Sequence, residues 1–209
     1  MNKNILLLLS FLLSFYSFSQ SENTDLIKLN VNTESSNLNW IGSKIYENHE
    51  GTVDIQSGFL IFDAENSIIG GEFVFDMNTI YTTDIKTEKY RKKLDDHLKN
   101  EDFFNVENFS TSSLEILKAF KLDEVIDIAG NKNELWRISA DLTIKDITRK
   151  IIFEATLNKN KSAFQARANF KIDRTDWDIK YKSGSIFDEL GDKAILDDIE
   201  FEIFLISEK

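Results

Sequence analysis

Two histidines, His49 and His97, are the chain's whole supply of imidazole, and there is no cysteine. Thiol chemistry and disulfides are therefore excluded, and any site must be built from carboxylates, hydroxyls, lysine, arginine and these two rings. His97 follows Asp95 and Asp96 directly. Neighbours on a helix point to different faces, so the three do not converge on a metal, and no further ligand stands at useful spacing. The expected role of His97 is to hydrogen-bond loop backbone where its helix ends. His49, in Asn48-His49-Glu50-Gly51, sits in a turn between strands and reads as a rim residue. A Ser-His-Asp set stays open on counts alone, but no G-x-S-x-G elbow is present. Arg174, in Asp173-Arg174-Thr175-Asp176, reads first as half of a structural ion pair and second as a contact for a polar headgroup. Lys44 shares the row of Trp40 and Gly42 near a strand end, which makes it either a headgroup contact or a snorkelling lysine. Lys89, Arg91, Lys92 and Lys93 are diluted by Glu88, Asp95 and Asp96, so that face reads as solvated. Nothing here assembles a catalytic set; no metal or cofactor is expected, and the chain does not read as an enzyme.

The elements that would position these groups are mostly strands. Leu38, Trp40 and Gly42 alternate with polar residues, and Val53, Ile55, Ser57, Phe59 and Ile61 form a second row. Gly71, Phe73, Phe75 and Met77 form a third, opened by Gly70-Gly71, which permits a bend or bulge. A strand is expected around Phe109 to Leu117, then a charged, irregular stretch from Lys118 to Asn133 with a short strand at Val125 to Ile128. The cleanest rows follow. Trp136, Ile138, Ala140, Leu142 and Ile144 form the first, and Ile151, Phe153, Ala155 and Leu157 the second. Phe164, Ala166, Ala168, Phe170 and Ile172 form the third. After a polar excursion, Trp177 to Asp198, the row Ile199, Phe201, Ile203 and Leu205 closes the set. One helix interrupts this pattern, starting near Thr87 with Tyr90, Leu94 and Leu98 at i, i+4, i+8 and stopping at a left-handed Asn100. Phe103 and Phe104 follow it at once as an apolar wedge. The fold class is all-β: an eight-stranded antiparallel barrel, with a sandwich as the alternative, and one helix plugging an end.

An eight-stranded barrel is near the size at which side chains fill the interior or one small ligand replaces some of them. Ala140, Ala155, Ala166 and Ala168 fall on the inward rows of three consecutive strands, and Phe164 and Phe170 flank the last pair. Such clustering leaves volume unless Phe59, Phe73 and Phe75 from the opposite wall fill it, so both outcomes stay open on the residues alone. The expected lining of a cavity is Trp40, Phe59, Phe73 and Phe75 on one side. On the other it is Trp136, Ile138, Ala140, Phe153, Ala155, Phe164, Ala166, Ala168 and Phe170, with Lys44 and Arg174 as candidate headgroup contacts.

Three stretches carry a family resemblance. His97-Leu98-Lys99-Asn100-Glu101-Asp102-Phe103-Phe104 resembles the HL-x-S-x-DFF segment of the YceI-like family, lipocalin-like lipid binders of bacteria. Asp141 to Arg149 is similar to its DLTI-x-G-x-T strand-turn-strand, and Ile172 to Trp177 to its DR-[ST]-x-[WFY] segment. Asn100 replaces the usual serine, Asp146 replaces the usual glycine, and Phe109 lacks the nearby proline. The resemblance implies a lipocalin-like barrel that encloses a long isoprenoid or related amphiphilic chain and binds it without transforming it. A solid-cored interaction module using the 177–198 excursion, or a lipid-modifying enzyme, are the rivals.

The ends and the charge set the context. Lys3, the apolar run Ile5 to Tyr16 and the small residues Ser17 and Ser19 read as a secretory signal over 1–19. That leaves a single domain over 20–209, periplasmic or secreted, with no integral membrane span. The formal charge of −11 becomes −12 without Lys3; an acidic excess argues against a nucleic-acid partner. The oligomeric state stays open, a dimer being one option.

Overall fold

The computed structural model describes residues 26–208 apart from 129, 161 and 188. The export segment read at 1–19 and the first residues of the domain lie outside the described residues. The strands are β1 (Ile27–Asn30), β2 (Asn37–Lys44), β3 (Asn48–Phe62), β4 (Ile68–Thr82) and β5 (Thr111–Ile128), then β6 (Asn131–Ile144), β7 (Ile147–Lys159), β8 (Phe164–Asp173) and β9 (Ile195–Ile206). The one α-helix among the described residues, α1, spans Glu88–Lys99 between β4 and β5. Every pairing between these strands is antiparallel. β2 to β9 form a ring of eight in the order β3-β2-β9-β8-β7-β6-β5-β4, closed by β4 returning to β3. β1 adds to the second half of β3, from Ile27↔Phe62 to Asn30↔Phe59. The expected barrel is present, with its ring of pairings closed between β4 and β3.

The inward rows of β6 and β8 follow the alternation: Trp136, Ile138, Ala140, Leu142 and Ile144 are buried, as are Phe164, Ala166, Ala168 and Ile172. In β3 the row breaks. Between Ile55↔Phe75 and Ser57↔Val74 it carries one residue more than its partner. An extra residue exchanges the faces of everything beyond it. Val53 and Ile55 therefore point in, and so do Leu60 and Phe62, whereas Phe59 lies on the outer surface with the Lys28 ammonium 3.5 Å from its ring centre. Phe59 is thus not part of the interior.

The stretch expected to be irregular, 118–133, prolongs β5 and β6 as a hairpin paired from Lys118↔Ser139 to Ile128↔Asn131, with a break in register between Lys121 and Val125 and with the short strand expected at Val125 to Ile128 as its outer part. It projects past the barrel, so both its faces are largely solvated, and no apolar row marks it in the sequence. Phe120 and Val125 are exposed.

Helix α1 buries mainly its second half against the barrel, its first half reaching β4 through Arg91, whose guanidinium carbon lies 4.8 Å from the Tyr81 ring centre. Tyr90, expected on the packed row, is 62 % exposed. The buried Asp95 carboxylate instead pins the helix, accepting from the Thr82 amide at 2.8 Å and the Thr82 hydroxyl at 2.6 Å at the end of β4. The cap residue Asn100 is extended, with φ −75°, and the left-handed turn comes later, at Asn105 with φ 48°. That later turn lets Phe103 fold back into the barrel end, where it is buried; Phe104 is only partly so. The expected plug exists, and Phe103 is its inner residue.

Candidate functional site

The barrel wall is weakest between β7 and β8. Their pairing runs only from Lys159↔Phe164 to Ala155↔Ala168. Beyond it the strands part, and the rings of Phe153 and Phe170 stack across the gap at 4.7 Å, with Phe201 5.6 Å from Phe170. Above them the chain leaves β8 through a 3-10 turn, Arg174–Trp177, whose Trp177 is buried with its indole N–H donating to the Leu142 carbonyl at 3.2 Å. The excursion expected to cross a rim does so here, roofing the barrel together with α1.

Beneath this roof lies a cavity of about 270 Å³, close to the lower end of the roughly 300–1,000 Å³ usual for ligand sites. Its walls are Leu38, Trp40 and Val53, then Phe75 and Met77, then Leu114, Leu142 and Ile144, and finally Phe170, Ile199, Phe201 and Ile203. The roof is Leu94, Leu98, Phe103 and Phe104, joined by His97 and Tyr181. Those last two pack edge-on at 4.6 Å, and His97 meets Phe103 at 5.1 Å. Trp40 lies flat because it crosses Gly51 of β3, where any Cβ would collide with the indole and with the Tyr81 carbonyl. Its indole N–H is buried with no acceptor among the described residues, an exception to the rule that buried polar groups are paired.

A second gap of about 50 Å³ lies deeper and shares Phe75, Leu114 and Ile203 with the first. The expected lining residues divide between these spaces. Trp40, Phe75 and Phe170, with Lys44 and Arg174, border the main cavity. Phe73, Ile138, Phe153, Ala155, Ala166 and Ala168 border the small one. Trp136, Ala140 and Phe164 border neither: Trp136 and Phe164 are sealed in the far end, where Phe164 packs on Phe62 at 6.0 Å, and Ala140 is buried on β6 between Ile138 at the small gap and Leu142 at the main cavity. The alanines therefore mark the narrow end of the space and not its bulk. The sequence reading missed Tyr181, Lys182, Lys193, Ile195 and Leu196. Tyr181, Lys182 and Lys193 lie outside any strand, and Ile195 and Leu196 are the first residues of β9, before its apolar row begins at Ile199, so periodicity carried no signal for them.

Arg174 is 1 % exposed. Its guanidinium donates to the carbonyls of Ile179 at 2.7 Å, Leu196 at 3.1 Å and Ile195 at 3.1 Å, and to Asp197 at 3.1 Å. Burial lowers its pKa from the ordinary value, with Asp197 and Asp173 opposing. With all three guanidinium nitrogens engaged it anchors the roof to β9, the structural ion pair expected of it first, while it also borders the cavity. Lys44 is ion-paired to Glu47 at 2.8 Å, and that bond is the main reason the Glu47 carboxyl sits below its usual value. His49 meets Asp84 at 2.9 Å. Burial raises the Asp84 pKa, but the bonds from His49 and the Glu50 amide outweigh it and the net shift is down. His97 bonds the Asn100 side chain at 3.0 Å and not loop backbone. Among the described residues no hydroxyl bonds either imidazole, and no group of metal-ligating side chains converges.

The YceI-like domain family matches residues 29–205. No significant match was found among curated proteins. Several solved structures share the fold, among them the following two. A polyisoprenoid-binding domain from Saccharophagus degradans has a TM-score of 0.63 at 14 % identity, covering 88 % of this chain and 98 % of its own. BcnA of Burkholderia cenocepacia has a TM-score of 0.58 at 14 % identity, covering 85 % and 99 %.

Proposed function

The chain belongs to the YceI-like family, and on that premise we propose that it binds a long-chain isoprenoid or similar amphiphilic lipid in the barrel, without transforming it. The observation that carries this reading is the apolar cavity of about 270 Å³ between the roof and the barrel walls, continued by the gap beside Ala166 and Ala168. A chain entering under the roof would run past Phe75 and Leu114 toward the alanines. Affinity would come from roughly 25 cal/mol per Å² of apolar surface withdrawn from water, less the ordering of the chain. The shared fold of the S. degradans polyisoprenoid-binding domain supports the ligand class.

Binding without chemistry is the reading the lining supports, because neither imidazole is engaged with a hydroxyl nucleophile and the one buried guanidinium is fully used in structure. Export through the segment read at 1–19 belongs to the same proposal, since it would place the barrel among lipids of the envelope or the medium. The test is organic extraction of natively purified protein followed by mass spectrometry. A stoichiometric long-chain lipid supports the reading. Protein that carries none, and that retains no added isoprenoid or acyl probe, contradicts it.

A further inference from the structure

Acidic residues outnumber basic ones in this chain by 36 to 25, yet among the described residues no aspartate or glutamate lines the main cavity. The charged side chains in its described lining are cationic: Lys44, Lys182, Lys193 and the buried Arg174. Backbone pairing explains how three of these reach one place. Lys44 ends β2 opposite Ile195, and the Ile195 amide donates to the Lys182 carbonyl at 2.8 Å. Lys193 stands two residues before Ile195, in the 3-10 turn Gly191–Lys193 that leads into β9. The start of β9 thus gathers a lysine from each of three segments around one side of the cavity. Exposed Lys193 and Leu196 show that this side opens to solvent.

Their partners differ. Lys44 is already neutralised by Glu47, whereas neither Lys182 nor Lys193 forms an ion pair among the described residues. Deeper on the same inward row of β2, the Trp40 indole offers a buried N–H with no acceptor. Lysine and indole can only donate. The two ammonium groups without an ion pair, Lys182 and Lys193, favour at the mouth a polar group that accepts hydrogen bonds and is negatively charged.

Resting on the lipid-binding reading above, we infer that the ligand is a single-chain amphiphile with an anionic head, a carboxylate or a phosphate monoester. Its head sits at the Lys182–Lys193 side of the mouth and its tail runs beneath α1 into the barrel. A neutral head would leave the cationic rim without a role in recognition.

Matched pairs of probes test this on the wild-type protein. Oleate is compared with oleyl alcohol, and geranylgeranyl monophosphate with geranylgeraniol, by displacement of a fluorescent long-chain probe. At low salt at least one anion should bind about tenfold tighter than its alcohol, and the pair that shows it identifies the head. The preference should shrink in roughly 1 M NaCl, where the Debye length falls to about 3 Å. In Lys182→Gln/Lys193→Gln the anion should bind no better than the alcohol, with a thermal melt confirming that the variant is folded. Alcohols that match or exceed both anions in the wild type overturn the inference while leaving the lipid-binding reading standing. So does an anion preference that survives in the folded double variant. Failure of all four compounds to bind contradicts the lipid-binding reading itself, and the inference falls with it.

Discussion

The two ends of the barrel are walled by the same strands with the same alternation, yet one is solid and the other hollow. At the solid end Phe62, Trp136, Leu157 and Phe164 are each no more than 2 % exposed and meet one another across the interior. Lys159 shuts that end, its ammonium 4.6 Å from the Phe62 ring centre and bonded to Asn66 at 2.6 Å. At the hollow end the inward residues are equally apolar, among them Leu142, Ile144, Phe75 and Met77, but they do not meet. The roof is not part of the sheet: α1 and the 174–194 excursion span the opening and are held off by Asp95, Trp177 and Arg174. In this barrel the strand rows specify a wall, and elements outside the sheet decide whether the space behind it is filled.

The largest effect should come from the solid end. Phe164→Ala removes a ring from close packing with little freedom to collapse, and should cost about 3–5 kcal/mol by denaturant unfolding. A cost under about 1 kcal/mol would mean that end is not packed as described. Asp95→Ala attacks the roof. It leaves the Thr82 amide and hydroxyl buried without their acceptor, which should cost about 1–3 kcal/mol, and it should speed exchange of the Thr82 amide with solvent.

The sharpest contrast lies on one strand. Ala140 and Leu142 share the inward face of β6, two residues apart, and of the two only Leu142 borders the main cavity. Ala140→Leu overpacks a fully enclosed position and should destabilise by about 1–3 kcal/mol with lipid retention unchanged. Leu142→Phe points into the cavity, so it should cost less than about 1 kcal/mol while reducing retention of a long-chain probe. Equal destabilisation with no loss of binding would erase the distinction between enclosed and cavity-lining positions.

Much of the barrel was legible because inward residues on most strands keep strict period two, from Trp136 to Ile144 and from Phe164 to Ile172. Phe59 was misplaced because a single-residue bulge is silent in hydropathy: the row Val53, Ile55, Ser57, Phe59, Ile61 continues unbroken in the sequence while the chain has changed faces. Most of the 118–133 hairpin was unreadable for the opposite reason, its pairing being specified by backbone and turn with no buried face to leave a pattern. The alanine cluster did point to space, but to its narrow end, since the bulk of the cavity depends on how far the roof stands from the strands. Lys182 and Lys193 entered the site through the register of Ile195 with Lys44, a long-range pairing that local spacing does not encode.

The smallest effect expected is at the rim. Glu47 and Asp84 have pKa values below their ordinary 4.5 and 3.8. Depressed carboxyl values add stability that is present above the ordinary value and is lost as pH falls through the folded one. Acidification from about pH 5 should therefore weaken the Lys44–Glu47 and His49–Asp84 contacts, by an amount typical of exposed pairs, about 0–1 kcal/mol each. Asp84→Asn should flatten this limb of a stability–pH curve, while an unchanged limb would assign it to other carboxylates.

Trp40 lines the hollow end and Trp136 is sealed in the solid one, so the two indoles report the ligand's position directly. Titrating a bromine-labelled long-chain lipid into Trp136→Phe/Trp177→Phe, where Trp40 is the reporter, should give saturable quenching, because bromine quenches indole only near contact. In Trp40→Phe/Trp177→Phe the remaining Trp136 should stay bright. Quenching of Trp136 as strong as that of Trp40, or no saturable quenching of either, would contradict a lipid held beneath the roof.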